Sequence, residues 1–462
     1  MNVVLIVLDT LRADHLGCYG YFRDTSPAID RIAEEGVLFE DFRASGVATG
    51  PGFTSLMTGL FPIQNGFYLT PHSLPNMISF NDDIPTLAEM IWENSNHTTA
   101  AFDNLINFRS HMTQFVRGFE YCVNVTRTAM WKHAHVRGDA VNARLAPWLE
   151  QHRDEDFFAF VHYWDPHTPY NQPDDYRNLF RHQPGSLDDL TVRRAPAGYD
   201  YVPGWGKVGE LWEQDVEDKG GAALTTAERT IDLYDGEIRY TDTLIEEVFS
   251  ALKANGLYDN TLVIITADHG EQLGQHGMYG HAGLHEANIK LPLIMWAPHR
   301  LPAGKRIPGC AGHVDIVPTI LDLLGASRLP SNLAGRSLMP VIGENATLPD
   351  TTFFESIGMR GMLHGCWKYV RYARDWPVAS PEELYDLSSD PMEVDNLAGR
   401  GLSRQNDLRR QLEEWVTAHL GAHPDPMIEN IEKDIAAQHA NAFKPTGFLP
   451  WLAQDAEAGR HE

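Results

Sequence analysis

Long hydrophobic runs, paired cysteines and an excess of basic charge are all missing from this 462-residue chain, and each absence closes off a class of protein. The opening MNVVLIVLDTLRADHLG has no basic leader region, and Asp9 breaks its apolar run after a few residues. That run is too short to cross a bilayer and reads as a buried strand, not a signal peptide. No other stretch reaches the length of a membrane span. A cytoplasmic location is the expectation, with a removed leader peptide as the alternative. Four cysteines, Cys18, Cys122, Cys310 and Cys366, are scattered without a CxxC pair, which excludes a disulfide framework and a zinc ribbon. Against 63 acidic residues there are only 37 basic ones, a formal charge of -26. Such a field repels a polyanion, so nucleic acid is excluded as a partner. A small anionic substrate would then need a local cluster of cations or a metal ion.

What the chain does have is enough apolar residues, 43%, to bury a large core. Val3–Leu8, Phe157–Val161, Leu262–Thr266 and Leu291–Trp296 are short, nearly continuous apolar runs bounded by Pro, Gly or Asp. With helical patterns between them, they predict an α/β fold with a parallel, doubly wound sheet. Ser26–Glu35 (SPAIDRIAEE) predicts a helix capped by Ser26 with Pro27 in its first turn. A longer helix runs from Thr226 to about Asn255, with Ile231, Tyr234, Ile238, Thr241, Ile245 and Val248 at helical spacing and Gly256 ending it. Residues 1–343 form the expected catalytic domain. Within it Arg181–Gly221, rich in Pro, Gly and Trp, loses all periodicity and reads as an insertion near the mouth of the site, or a surface loop. Residues 344–422 predict a smaller α+β subdomain: Trp367–Arg371 (WKYVR) alternates like an exposed strand, and Gln405–Leu420 is an amphipathic helix with Leu408, Leu412, Trp415 and Val416 inward. His423–Glu462, with Pro424, Pro426, Pro445 and Pro450, reads as a tail wrapping the body or a neighbouring subunit of a homo-oligomer.

The candidate chemistry sits at strand ends. Asp9 directly follows the first strand and Asp268 the third, with His269 beside it. In an open α/β sheet, ligands bind at the carboxyl ends of the strands, and both carboxylates would emerge on that edge. An Asp after a strand is by itself an ordinary turn former or helix cap. Two of them, in a buried LIVLD and a buried VIITADHG, are hard to explain as unrelated caps.

The chain resembles the sulfatase branch of the alkaline-phosphatase superfamily. LIVLDTLRADHLGCYGY…TSPAIDRIAEEGVLFEDF is similar to that family's N-terminal signature, TGPGFTSLMTGLFPIQNG to its nucleophile segment, and FAFVHYWDPHTPY to its central His-Pro strand. ITADHGEQLGQHG, HVDIVPTILDLLG, LAGRSLMPVI and WKYVR…ELYDLSSDPMEVDNLAG follow in the family's order, over roughly residues 2–420. The resemblance implies the alkaline-phosphatase/sulfatase-like sheet and a metal-dependent hydrolase with Asp9, Thr49, Asp268 and His269 around the metal. Two departures bear on the chemistry. Sulfatases carry Cys or Ser at the head of a (C/S)-x-P-x-R segment and oxidise it to formylglycine; here the segment is Thr49-Gly50-Pro51-Gly52-Phe53. A secondary alcohol is no substrate for that maturation, and Phe53 replaces the arginine. Thr10 stands where many sulfatases place a second aspartate, and His269 where they often place asparagine.

The resemblance therefore points to the phosphoryl-cleaving branches, which are phosphodiesterases, phosphonate monoester hydrolases and the catalytic domains of phosphoethanolamine and glycerol-phosphate transferases, several of which use an unmodified threonine. Thr49 would be the nucleophile, poor until a metal favours its alkoxide. One divalent ion is expected. An imidazole ligand shifts preference from calcium, which stays in play, towards zinc or manganese. His281, where sulfatases usually have a substrate-binding lysine, and His167, in DPHTPY, would bind a substrate oxygen or protonate the leaving group. Asn104 falls where sulfatases carry a substrate-binding lysine. Asp165 and His285 are candidates for a second metal, with a cap or surface role as the alternative. His276 and His313 resemble structural positions, and Trp205 and Trp212 could line a pocket or simply anchor the insertion. The leading expectation is a phosphodiester or phosphonate monoester hydrolase working through a covalent Thr49 intermediate. The alternatives are a sulfatase lacking formylglycine and a non-catalytic binding protein of the same descent. Specificity is expected in Thr70–Asp83, the insertion and the tail.

Overall fold

The computed structural model describes residues 1–68, 80–103, 115–125, 136–168, 170–181, 227–277, 279–281, 283–344, 346–373 and 380–441. The apolar runs become strands because they can be buried on both faces. β1 (Asn2–Leu8), β2 (Val37–Arg43), β3 (Thr98–Asp103), β4 (Tyr121–Asn124), β5 (Phe157–Tyr163) and β6 (Thr261–Ala267) precede a short hairpin of β7 (Gln272–Leu273) and β8 (Tyr279–Gly280). β9 (Lys290–Trp296) and β10 (Lys305–Gly312) complete an eight-stranded sheet of order β10-β2-β9-β6-β1-β5-β3-β4. β1, β5 and β6 lie at its centre with every residue buried.

One strand corrects the expectation of a parallel sheet. β9, the run Leu291–Trp296, is antiparallel to both β6 and β2, whereas the other pairings are parallel. The chain leaves β6 and returns through residues 268–289 at the same end of the sheet, with no crossover helix to carry it to the far end. A strand entered that way must run backwards. An apolar run buried on both faces reads the same in either direction, so its composition does not encode this.

The helix Pro27–Glu35 and the long helix Ala227–Ala254 form as predicted, and Gly256 follows the latter at φ 70°. Ser26 does not cap the first helix with its side chain. It donates to Asp30, while the Asp242 carboxylate of the long helix accepts from the amides of Ala28 (3.0 Å) and Ile29 (2.8 Å). The two helices are thus tied together across the sequence by a helix-end interaction.

A second, antiparallel sheet runs β11 (Thr351–Ser356), β12 (Met359–His364), β13 (Trp367–Tyr372) and β14 (Glu382–Asp386) in order. WKYVR lies in β13, an interior strand, not an exposed one. Lys368 is fully buried there because Glu286 (3.1 Å) and Glu393 (2.5 Å) neutralise it, so its charge misleads a pattern reading. The helix Ser403–Leu420 packs Leu408 and Leu412 against Met362, Tyr369 and Leu384, while Trp415 is only partly buried. Part of the expected tail is a helix, Pro426–Asn441, with Met427 buried at its start. The insertion from residue 182 onward, including Trp205 and Trp212, lies outside the described residues, as do residues 69–79 and the tail beyond 441.

Ile264 sits in the middle of β6, opposite Leu5 and Met295, with no exposed surface. Ile264→Ala is expected to lower stability by about 2–5 kcal/mol through lost burial and the cavity left behind. Urea unfolding measures it, and a loss below about 1 kcal/mol would show that this strand is not the packed centre.

Candidate active site

Strands β2, β6, β1, β5 and β3 point the same way, so their carboxyl ends share one edge. Leu8 is opposite Ala267, and the next residues, Asp9 and Asp268, therefore stand side by side. β2 delivers the chain to the same edge, where Ala44–Ala48 turns it into the helix Thr49–Thr58 with Thr49 as its first residue. Asp9, Asp268 and His269 are fully buried, and one ligand atom from each lies within 4.8 Å of the others. His269 Nε2 is 3.3 Å from Asp268 Oδ2, 3.8 Å from Asp9 Oδ1 and 3.2 Å from Thr49 Oγ1. The expected ligand set Asp9, Thr49, Asp268 and His269 is brought together.

The turns that aim these groups are strained. Thr10 has φ 61° and Ala48 φ 79°, a region that disfavours side chains, β-branched ones above all. Thr10 is clamped on both sides: its amide donates to Asp268 Oδ1 (3.2 Å), and its carbonyl accepts from the Tyr234 hydroxyl of the long helix (2.7 Å). Gly52 explains part of the TGPGF segment. A Cβ there would meet the Asp268 carbonyl oxygen at 2.5 Å, so only glycine lets the Thr49–Thr58 helix seat on the Asp268 turn. His269 donates from Nδ1 to the Gly270 carbonyl (2.9 Å), which leaves the Nε2 lone pair facing Thr49 and the carboxylates.

The electrostatics fit a cation. Both oxygens of Asp9, Oδ2 of Asp268 and Oγ1 of Thr10 are buried without a hydrogen-bond partner. Burial, followed by the charge of Asp9, holds the Asp268 carboxyl well above the usual carboxylate range. Burial also opposes the Asp9 charge, yet the His162 imidazole beside it, with His167 and His269, keeps its carboxyl below that range. Burial and the neighbouring His281 push His269 well below an ordinary histidine, so it is neutral and able to ligate. Two adjacent carboxylates, a neutral imidazole and a hydroxyl are a donor set for a divalent metal.

Sequence reasoning missed His162 and Asp103. His162 lies in fully buried β5, its Nδ1 2.8 Å from Asp103 Oδ1 and its Nε2 3.5 Å from Asp9 Oδ2. Despite burial, Asp103 and then Asp9 raise it to about 10. Its signal was available: a histidine inside FAFVHY, a run buried on both faces, demands a charged or polar partner. Phe53, in the place of the sulfatase arginine, packs edge-on against this imidazole with ring centroids 4.8 Å apart.

The other candidates divide. His281 lies tilted against His269 with ring centroids 4.2 Å apart and pairs with Glu271 (3.3 Å), while the His167 and His281 ring centroids are 5.3 Å apart. Both therefore join the site. Asn104 lies outside the described residues. Asp165 and His285 do not form a metal site. Asp165 accepts from the Gly138 amide (2.9 Å), and His285 stacks on His276 at 4.1 Å. Among the described residues neither belongs to a group with metal-ligand spacing. His313 is structural as expected, bonding the Ala267 carbonyl at 3.0 Å.

The family model described as Sulfatase matches residues 1–326, and the one described as N-sulphoglucosamine sulphohydrolase, C-terminal, matches residues 274–419. The chain is 23% identical over 509 residues to the N-acetylglucosamine-6-O-sulfatase of Bacteroides thetaiotaomicron, covering 92% of this chain and 88% of that protein. It is 26% identical over 483 residues to a multifunctional alkaline phosphatase superfamily protein of Trinickia caryophylli, covering 86% and 91%. The crystal structure of the phosphonate monoester hydrolase of Agrobacterium radiobacter matches with a TM-score of 0.73 at 22% identity, over 93% of this chain and 97% of that one.

The His162 pair sets a pH dependence. Its folded value, about 10, exceeds the ordinary 6.5, so its contribution is full below 6.5 and is lost as pH rises through about 10. Asp103→Asn removes the nearer of its two partner charges. Melting curves of metal-free protein across that window are expected to fall less steeply with pH in the variant than in wild type. Equal slopes would mean that His162 is not held charged.

Proposed function

The chain belongs to the sulfatase family and is a hydrolase of sulfate or phosphate esters, and from that premise we propose that it cleaves a phosphodiester or phosphonate monoester through a covalent phospho-Thr49 intermediate. The observation that carries this reading is a threonine at position 49, its hydroxyl at the start of a helix and 3.2 Å from His269 Nε2. Thr49 cannot yield the aldehyde hydrate that sulfatases use, but an alcohol is a competent nucleophile towards phosphorus.

Asp9, Asp268, His269 and Thr49 would hold one divalent ion, with zinc or manganese better suited than calcium to a site containing an imidazole. When bound, that ion supplies Lewis-acid charge that favours the Thr49 alkoxide and neutralises an oxygen of the ester. Thr49 Oγ1 forms the new bond to phosphorus as the bond to the alcohol breaks. The positive end of the Thr49–Thr58 helix favours the anion developing there. His167 and His281 stabilise the departing oxygen. Water then attacks phospho-Thr49, releasing product and restoring the hydroxyl. His162 acts by positioning: its charge, fixed by Asp103, holds Asp9 ionised and oriented.

A sulfate ester hydrolysed without formylglycine is the second reading, favoured by the similarity to a sugar-sulfate sulfatase over most of the chain. A non-catalytic descendant is disfavoured by the intact, strained and buried cluster.

Metal-replete protein is expected to turn over an aryl phosphodiester faster than an aryl sulfate, and Thr49→Ala to lose at least ~10³-fold in kcat while keeping its metal. Mass spectrometry of protein quenched during turnover should locate one phosphoryl group on Thr49. A clear preference for the sulfate, or full activity of Thr49→Ala, would overturn the reading.

A further inference from the structure

Next to the Asp9–Asp268–His269 group stands another set of buried ligands, of which the single-metal reading uses His167 and His281 but gives Glu271 no task. His167 follows β5, Glu271 lies two residues beyond His269, and His281 follows β8. All are buried, and one ligand atom from each lies within 4.8 Å of the others. We propose that His167, Glu271 and His281 bind a second divalent cation, making the active site a two-ion centre.

Two imidazoles and one carboxylate are the donor set of catalytic zinc sites that keep a position open for substrate or water. The plainer account is that Glu271 merely neutralises His281, at 3.3 Å from its Oε1. That leaves Glu271 Oε2, which is buried and has no hydrogen-bond partner. A carboxylate oxygen in that state is costly unless something positive meets it. Arg12 is not that group: it donates to the Glu271 backbone carbonyl (3.0 Å) and directs its guanidinium to Asp14. His167 supplies the second observation. Its Nδ1 donates to the Thr168 carbonyl (2.5 Å), which fixes the ring and leaves Nε2 as its ligand nitrogen. His269 is held in the same way by Gly270 (2.9 Å). Both rings are thus oriented by the adjacent backbone, a hallmark of metal-bound histidine.

The close approach of the His281 and His269 rings, with centroids 4.2 Å apart, makes the two ligand sets share a wall. A second cation there would bind the departing oxygen of the ester while Thr49 attacks from the other ligand set, the arrangement that lets two ions clamp an in-line displacement. That catalytic role rests on the phosphoester reading, whereas the binding of the ion does not.

The test is metal stoichiometry on the full chain. Protein stripped with chelator, reloaded with Zn²⁺ and desalted is expected to retain two zinc ions per chain by elemental analysis. Glu271→Gln and His281→Asn should each retain one, and Asp268→Asn should also retain one. One ion in wild type, or two in Glu271→Gln, would overturn the proposal. If a variant does not fold, anomalous scattering from wild-type crystals grown with zinc decides: a peak bounded by His167, Glu271 and His281 supports the site, and its absence refutes it. None of these outcomes depends on whether phosphate or sulfate esters are turned over, so the substrate reading stands or falls separately.

Discussion

Two carboxylates placed side by side with no exposure to water are the constraint from which the rest of the site follows. Asp9 and Asp268 meet because β1 and β6 are in-register parallel neighbours, each ending one residue earlier. Left alone, such a pair is expensive, since burial penalises each charge and each charge opposes the other. The surroundings answer this asymmetrically. Asp268 accepts the amides of Thr10 and His269 on one oxygen, while Asp9 faces the His162 imidazole. Three of the four carboxylate oxygens still lack a hydrogen-bond partner. The strained backbone at Thr10 and Ala48, the Tyr234 clamp and the glycine at position 52 can be traced to the need to bring oxygen and nitrogen ligands around that point.

The parts of the site legible in the sequence are those tied to local chain geometry. Asp9, Asp268 and His269 could be placed because a buried strand followed by an acidic residue implies its own edge, and Thr49 because its segment resembles a nucleophile turn. Partners that meet only through the sheet were not legible. His162 and Asp103 come from neighbouring strands 59 residues apart, and no local pattern couples them. Glu271 lies two residues from His269, yet its carboxylate faces His281, ten residues further along the chain. Asp165 and His285, candidates for a second metal or for a cap or surface role, each find a different partner in the fold. The direction of β9 and the interior place of WKYVR failed for one reason: composition records burial, but neither strand sense nor the neutralisation of a buried lysine by distant glutamates.

The replacement of the sulfatase arginine by Phe53 fits this electrostatic arrangement. Phe53 is fully buried, edge-on to Phe115, Phe160 and His162. That aromatic packing lowers the local dielectric around the His162–Asp9 pair and so strengthens it. It also removes a permanent cation from beside Thr49. On the proposed function, the positive charge at the site comes from groups that are conditional: an imidazolium held by Asp103, and metal that the carboxylates would hold. Those charges depend on each other, because His162 helps keep Asp9 ionised and an ionised Asp9 is what a metal ion binds. An enzyme built this way exchanges a fixed charge for a tunable one. That exchange suits the alcohol nucleophile proposed at Thr49, whose reactivity needs a Lewis acid at its own oxygen more than a guanidinium beside it.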